Sequence, residues 1–78
     1  MNVEHLIQMA NQIGAYFSAE PDRAAARAEV AEHLARFWEK RMRHSLYAGL
    51  DQSMAEGLSP LVREALIEHR ERILGKVA

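Results

Sequence analysis

Apolar residues recur at intervals of three and four through most of this chain, and no stretch alternates them with polar residues in a β-branched run. A helix brings residues three and four apart onto one face, whereas a strand brings every second residue there. Such a chain buries apolar surface by packing helices on helices. The expected fold class is therefore all-α, a small bundle of three to four helices. With 78 residues, one helical domain spanning 1–78 is expected, near the lower size limit for independent folding.

Four helical segments are expected. The first covers about 3–18, with Asn2 as N-cap and Glu4 in the first turn, where a negative charge suits the helix dipole. Val3, Leu6, Ile7, Ala10, Ile13, Gly14 and Phe17 form its stripe. Met9 and Tyr16 widen that face to about half the circumference, beyond the roughly 100° that a core-facing stripe needs. Either a partner covers the surplus or two neighbouring helices do.

Pro21 breaks the chain and suits the first turn of a second helix over about 22–38. Val30, Leu34, Phe37 and Trp38 are the large apolar groups of that helix. Alanines 24, 25, 26, 28, 31 and 35 favour helix but bury little area. The 49% hydrophobic content therefore overstates the core.

A third segment, about 40–53, offers Met42, Leu46, Gly49 and Leu50, with Tyr47 and Met54 at its edge. Nothing in Glu39-Lys40-Arg41 obliges a break, so segments two and three are either joined or separate. Ser59-Pro60 signals a fourth helix over about 60–74, with Ser59 as N-cap and Gly75 as its stop. It should bury Leu61, Val62, Ala65, Leu66 and Ile73. Ile67 and Leu74, seven apart on another face, suggest a second docking strip.

Chemistry is thinly represented. Cysteine is absent, which removes disulfides and thiolate metal sites. His5, His33, His44 and His69 include no pair at helical ligand spacing, and Glu29–His33 reads as a solvated surface pair. The serines have no nucleophile-elbow context, and the glycines are too scattered for a phosphate loop. A chain with no catalytic apparatus, cofactor site or metal site of its own is expected. No run reaches the length of a membrane span and no leader is visible, so a cytoplasmic location is expected.

Residues 36–44 concentrate Arg36, Lys40, Arg41 and Arg43 against Glu39, in a chain of net charge −1. Phe37, Trp38 and Met42 lie among them. On a helix Phe37 and Trp38 point about 100° apart, so both cannot easily enter one small core. Trp and Arg dominate interface hot spots. The residues expected to contact a partner protein are Trp38, Arg41 and Arg43, then Met9, Asn11 and Tyr16. A small helical nucleic-acid-binding regulator using Lys40, Arg41 and Arg43 is the alternative, and the acidic balance argues against it.

Three blocks carry a family resemblance: MNVEHLIQMANQIGAYF at 1–17, HLARFWEKRMR at 33–43 and GLSPLVREAL at 57–66. In order and spacing they resemble the delta subunit of cytoplasmic NAD-dependent formate dehydrogenase. One departure is Lys40, where that family usually has proline before the Arg-Met pair. The resemblance implies an accessory role in an oxidoreductase complex: binding the large catalytic subunit and supporting assembly, cofactor insertion or stability. It implies that the partner subunits carry bis-molybdopterin guanine dinucleotide with molybdenum or tungsten, iron–sulfur clusters and FMN. A transient maturation chaperone and self-association remain open.

Overall fold

A computed structural model describes residues 2–75. Five helices follow in order: α1 Val3–Phe17, α2 Arg23–Phe37, α3 Lys40–Asp51, α4 Pro60–Glu68 and α5 Arg70–Leu74. The first three match expected segments, α4 and α5 share the fourth, and no strand occurs among the described residues.

Local chemistry sets most of the boundaries. The Asn2 side chain accepts hydrogen bonds from the amides of Glu4 (2.9 Å) and His5 (3.4 Å) at the start of α1. Asp22 caps α2 in the same way, accepting from Ala24 at 3.0 Å. Pro21 lies outside that helix rather than in its first turn. Ser59 caps α4 with Pro60 at its first position. Gly75 stops α5 at φ +89°, a left-handed value that costs a residue without Cβ nothing.

Helices α2 and α3 are separate. Trp38 and Glu39 adopt extended backbone at ψ 138° and 149°. Lys40 is the first residue of α3, the helical position that best accepts proline. The break therefore persists without the proline that the resemblance led one to expect.

The fourth segment is divided, which corrects the expectation of one helix over 60–74. α4 ends at Glu68, and His69 (φ −108°, ψ 30°) turns the chain into α5. The buried Tyr47 hydroxyl donates to the carbonyl of Leu66 at 2.7 Å. An uninterrupted helix would offer that carbonyl to the amide of residue 70. The turn brings Ile73 to full burial. It also separates Ile67, 65% exposed, from Leu74, which packs against the core, so the two do not form one strip.

α2 packs against α1, α4 and α5, and α1 also meets α3 and α4. Val30, Ala31 and Leu34 of α2 meet a core completed by Leu6, Ala10, Leu46, Val62, Leu66 and Ile73. Gly14 admits α4: a Cβ there would lie 2.5 Å from Val62 Cγ2.

Arginines tie the outer surfaces together. Arg23 grips Glu64 with two bonds of 3.0 Å, and Arg27 meets Glu68 at 3.0 Å, joining α2 to α4. Arg72 reaches Glu32 at 2.6 Å, and Arg70 pairs with Asp51. The guanidinium hydrogen bonds hold Glu64, Glu68 and Asp51 below the usual carboxylate range.

Candidate functional site

The stripe of α1 is wider than α2, α3 and α4 can cover, and the remainder opens into a groove beside α2. Met9, Ile13, Tyr16 and Phe17 of α1 line one side of it; His33 and Trp38 line the other. The main hollow encloses about 490 Å³. Shallower hollows meet it around Phe17, one reaching Glu20 and Glu29, the other reaching Glu29, Arg36 and Phe37.

A row of rings crosses from α1 to α2. Tyr16 and Phe17 stand edge to face at 5.0 Å and Phe17 and His33 at 6.2 Å, while His33 and Phe37 are tilted at 4.9 Å. Both ends of the row are open, with Tyr16 76% and Phe37 69% exposed. Two large exposed aromatic side chains beside partly buried Met9, Ile13 and Phe17 form the kind of apolar surface that marks an interaction site.

Several expected contact residues have internal work. Trp38 is only 7% exposed: the extended backbone that ends α2 turns its ring into the core, leaving one edge as a groove wall. Trp38 was expected to lead the partner contacts; it keeps only this edge on the groove, and Phe37 is the exposed member of the pair. Arg43 is half-buried and donates to the carbonyl of Ile73, fastening α3 to α5. Asn11 donates to the Gly57 carbonyl at 2.9 Å and accepts from the Ser59 amide at 2.9 Å, clasping the loop before α4. Its polar contact lies within the chain.

The other three keep accessible surface. Tyr16 is exposed, Met9 is half-buried along the groove, and Arg41 is exposed on α3, with no ion pair among the described residues. The residues missed were Ile13, Phe17, His33 and Phe37. The i, i+4 pairing of His33 with Phe37 was a signal for a second apolar strip on α2.

His33 and Glu29 border the groove and its extension, with no hydrogen bond or ion pair between them among the described residues. The Ser18 hydroxyl donates to the Ala15 carbonyl at 2.6 Å, and Ser59 caps α4. His69 Nε2 lies 3.3 Å from Glu68. Burial raises the Tyr47 phenol above its ordinary value of 10.0. No three of His, Asp and Glu gather as metal ligands among the described residues. None of the described helices is long and apolar enough to cross a membrane.

These features define a class: a small helical bundle whose distinctive surface is an open apolar groove. The chain belongs to a family described as "NADH-dependant formate dehydrogenase delta subunit FdsD", whose pattern matches residues 5–66. The matched span runs from the first turn of α1 into α4 and contains the whole groove. No curated protein and no solved structure matches the chain.

Proposed function

We propose that this chain is a non-catalytic accessory subunit of a molybdenum- or tungsten-dependent formate dehydrogenase. It docks on the large catalytic subunit and supports assembly, cofactor insertion or stability of the complex. The observation that carries this reading is the groove, inside the matched family span, with Tyr16 and Phe37 open at its two ends. The internal commitments of Ser18, Ser59 and Tyr47 support a role outside the chemistry. On this reading the pterin, iron–sulfur and flavin groups belong to the partner subunits.

The mechanism is mass action. A subunit that binds the folded or cofactor-loaded catalytic subunit in preference to other states shifts the population towards the bound state. Met9 and Tyr16 are the contacts retained from the sequence, Phe37 replaces Trp38 as the exposed anchor, and Arg41 is a second contact point. The nucleic-acid alternative loses one of its three cations, because Arg43 is engaged with Ile73.

Co-expression with the large subunit tests this. The tagged chain should co-purify with it, and omitting the chain should lower the cofactor content or yield of the catalytic subunit. One-to-one recovery from mature enzyme identifies a permanent subunit; recovery from the immature subunit alone identifies a maturation factor. Absence of association in every state, with unchanged cofactor content, overturns the proposal.

A further inference from the structure

The groove has a charge as well as a shape. Glu29 lies at the meeting point of its two shallow extensions, beside Phe17. The other three acidic residues of α2 and α4 each have an arginine: Glu32 pairs with Arg72 and Arg36, Glu64 with Arg23, Glu68 with Arg27. Glu29 makes no ion pair among the described residues. Glu20, at the same extension, accepts only the Asp22 amide, at 3.2 Å, among the described residues. Among the described residues Arg36 is the one cation lining the groove, and it is drawn towards Glu32 at 3.8 Å and lies over the Phe37 ring at 5.8 Å. An apolar trough therefore ends at uncompensated carboxylates.

We propose that this groove receives an amphipathic segment of the large formate dehydrogenase subunit whose apolar side chains are flanked by an arginine or lysine, with that cation meeting Glu29. The inference rests on the docking function proposed above and specifies the chemistry of its partner. Apolar side chains of the segment enter between Tyr16 and Trp38. The flanking cation gains the Glu29 carboxylate, beside the Phe17 ring.

A second copy of this chain fits less well. A two-fold contact doubles the same patch, so it adds a second Glu20 and Glu29 to the interface and no cation among the described residues beyond Arg36, which is already drawn towards Glu32. An acidic segment meets repulsion from the same carboxylates.

The test uses the full chain co-expressed with the large subunit. Urea midpoints first establish that Phe37→Ser and Glu29→Lys fold like the parent. Glu29→Lys should weaken the complex about tenfold at low salt, with the deficit shrinking at high salt, because a charge at an interface rim acts through screened attraction. Glu29→Gln should lose less. Phe37→Ser should weaken the complex about tenfold at either salt. Glu56→Lys makes the same charge change outside the groove and should leave association unchanged. A photo-crosslinking residue at Tyr16 should capture a peptide of the large subunit with Arg or Lys beside apolar residues.

If the parent complex forms and both groove variants bind as tightly, the groove is not the docking surface, although the accessory role stands. Capture of an acidic peptide overturns the charge assignment. Dimers of the chain alone that Phe37→Ser dissolves would assign the groove to a second copy. Failure of the parent chain to bind the large subunit at all overturns the accessory role and this inference together.

Discussion

Phe37 and Trp38 are consecutive residues, yet the first is 69% exposed and the second 7%. Phe37 is the last helical residue of α2, and its ring continues the outward row from His33. One residue later the backbone becomes extended and the indole enters the core. The end of α2 thus divides two large apolar groups between two tasks, cohesion and recognition.

That division is measurable. Trp38→Ala should cost about 3–5 kcal/mol, the usual range for emptying a buried aromatic site. A domain of this size has roughly that much stability in total, so urea unfolding should show a largely unfolded variant. Phe37→Ser should stay within about 0.5 kcal/mol of the parent. Comparable losses for both would show that Phe37 is also buried.

Gly14 and Val62 give a second test. A Cβ at position 14 would lie 2.5 Å from a methyl of fully buried Val62, a stiff β-branched side chain. Gly14→Ala should gain about 1 kcal/mol of helix propensity but lose about 1–3 kcal/mol to overpacking, a net loss. Adding Val62→Ala should cost less in that background than in the parent, a coupling that a double-mutant cycle reads directly.

Lys40 gives a stabilising prediction. It is the first residue of α3, and Glu39 before it has φ −61° and ψ 149°, the extended conformation that a residue preceding proline requires. Lys40→Pro should therefore be tolerated and should stabilise by about 0.4–1 kcal/mol through the unfolded chain. A fall in the thermal midpoint would show that the Lys40 amide or side chain makes a contact of its own.

The arginine ties set the acid response. Hydrogen bonds from Arg23, Arg27 and Arg70 depress the carboxyl pKa values of Glu64, Glu68 and Asp51 respectively in the folded chain. As pH falls, the unfolded chain binds protons first, so these ties contribute fully above the ordinary values of 4.5 and 3.8. Their contribution is lost as pH drops through the lower folded values. Thermal midpoints should be flat down to about pH 5 and fall below it. Glu64→Gln with Glu68→Gln should flatten that fall, and added salt should weaken it.

Much of the architecture was legible because local rules fix it. Asn2 and Ser59 each announce a cap that satisfies orphan amides, and Pro60 and Gly75 mark boundaries through their backbone limits. The helical period selected Leu6, Ala10, Val30, Leu34, Leu46, Val62 and Leu66 as core, and these are buried. The excess apolar width of α1 was visible at Met9 and Tyr16, and it is one wall of the groove.

What the sequence by itself determined, then, is which segments are helical, most of their ends and the existence of surplus apolar surface, since each follows from contacts within a turn or two. Only the tertiary structure decided which member of the Phe37–Trp38 pair turns inward. It also decided that Asn11 clasps Gly57 and Ser59, that Arg43 holds Ile73, and that Tyr47 takes the carbonyl where α4 ends. Those outcomes depend on groups 19 to 48 residues away in the chain. A local pattern shows that such a side chain has a contact to make; the packed fold supplies its partner.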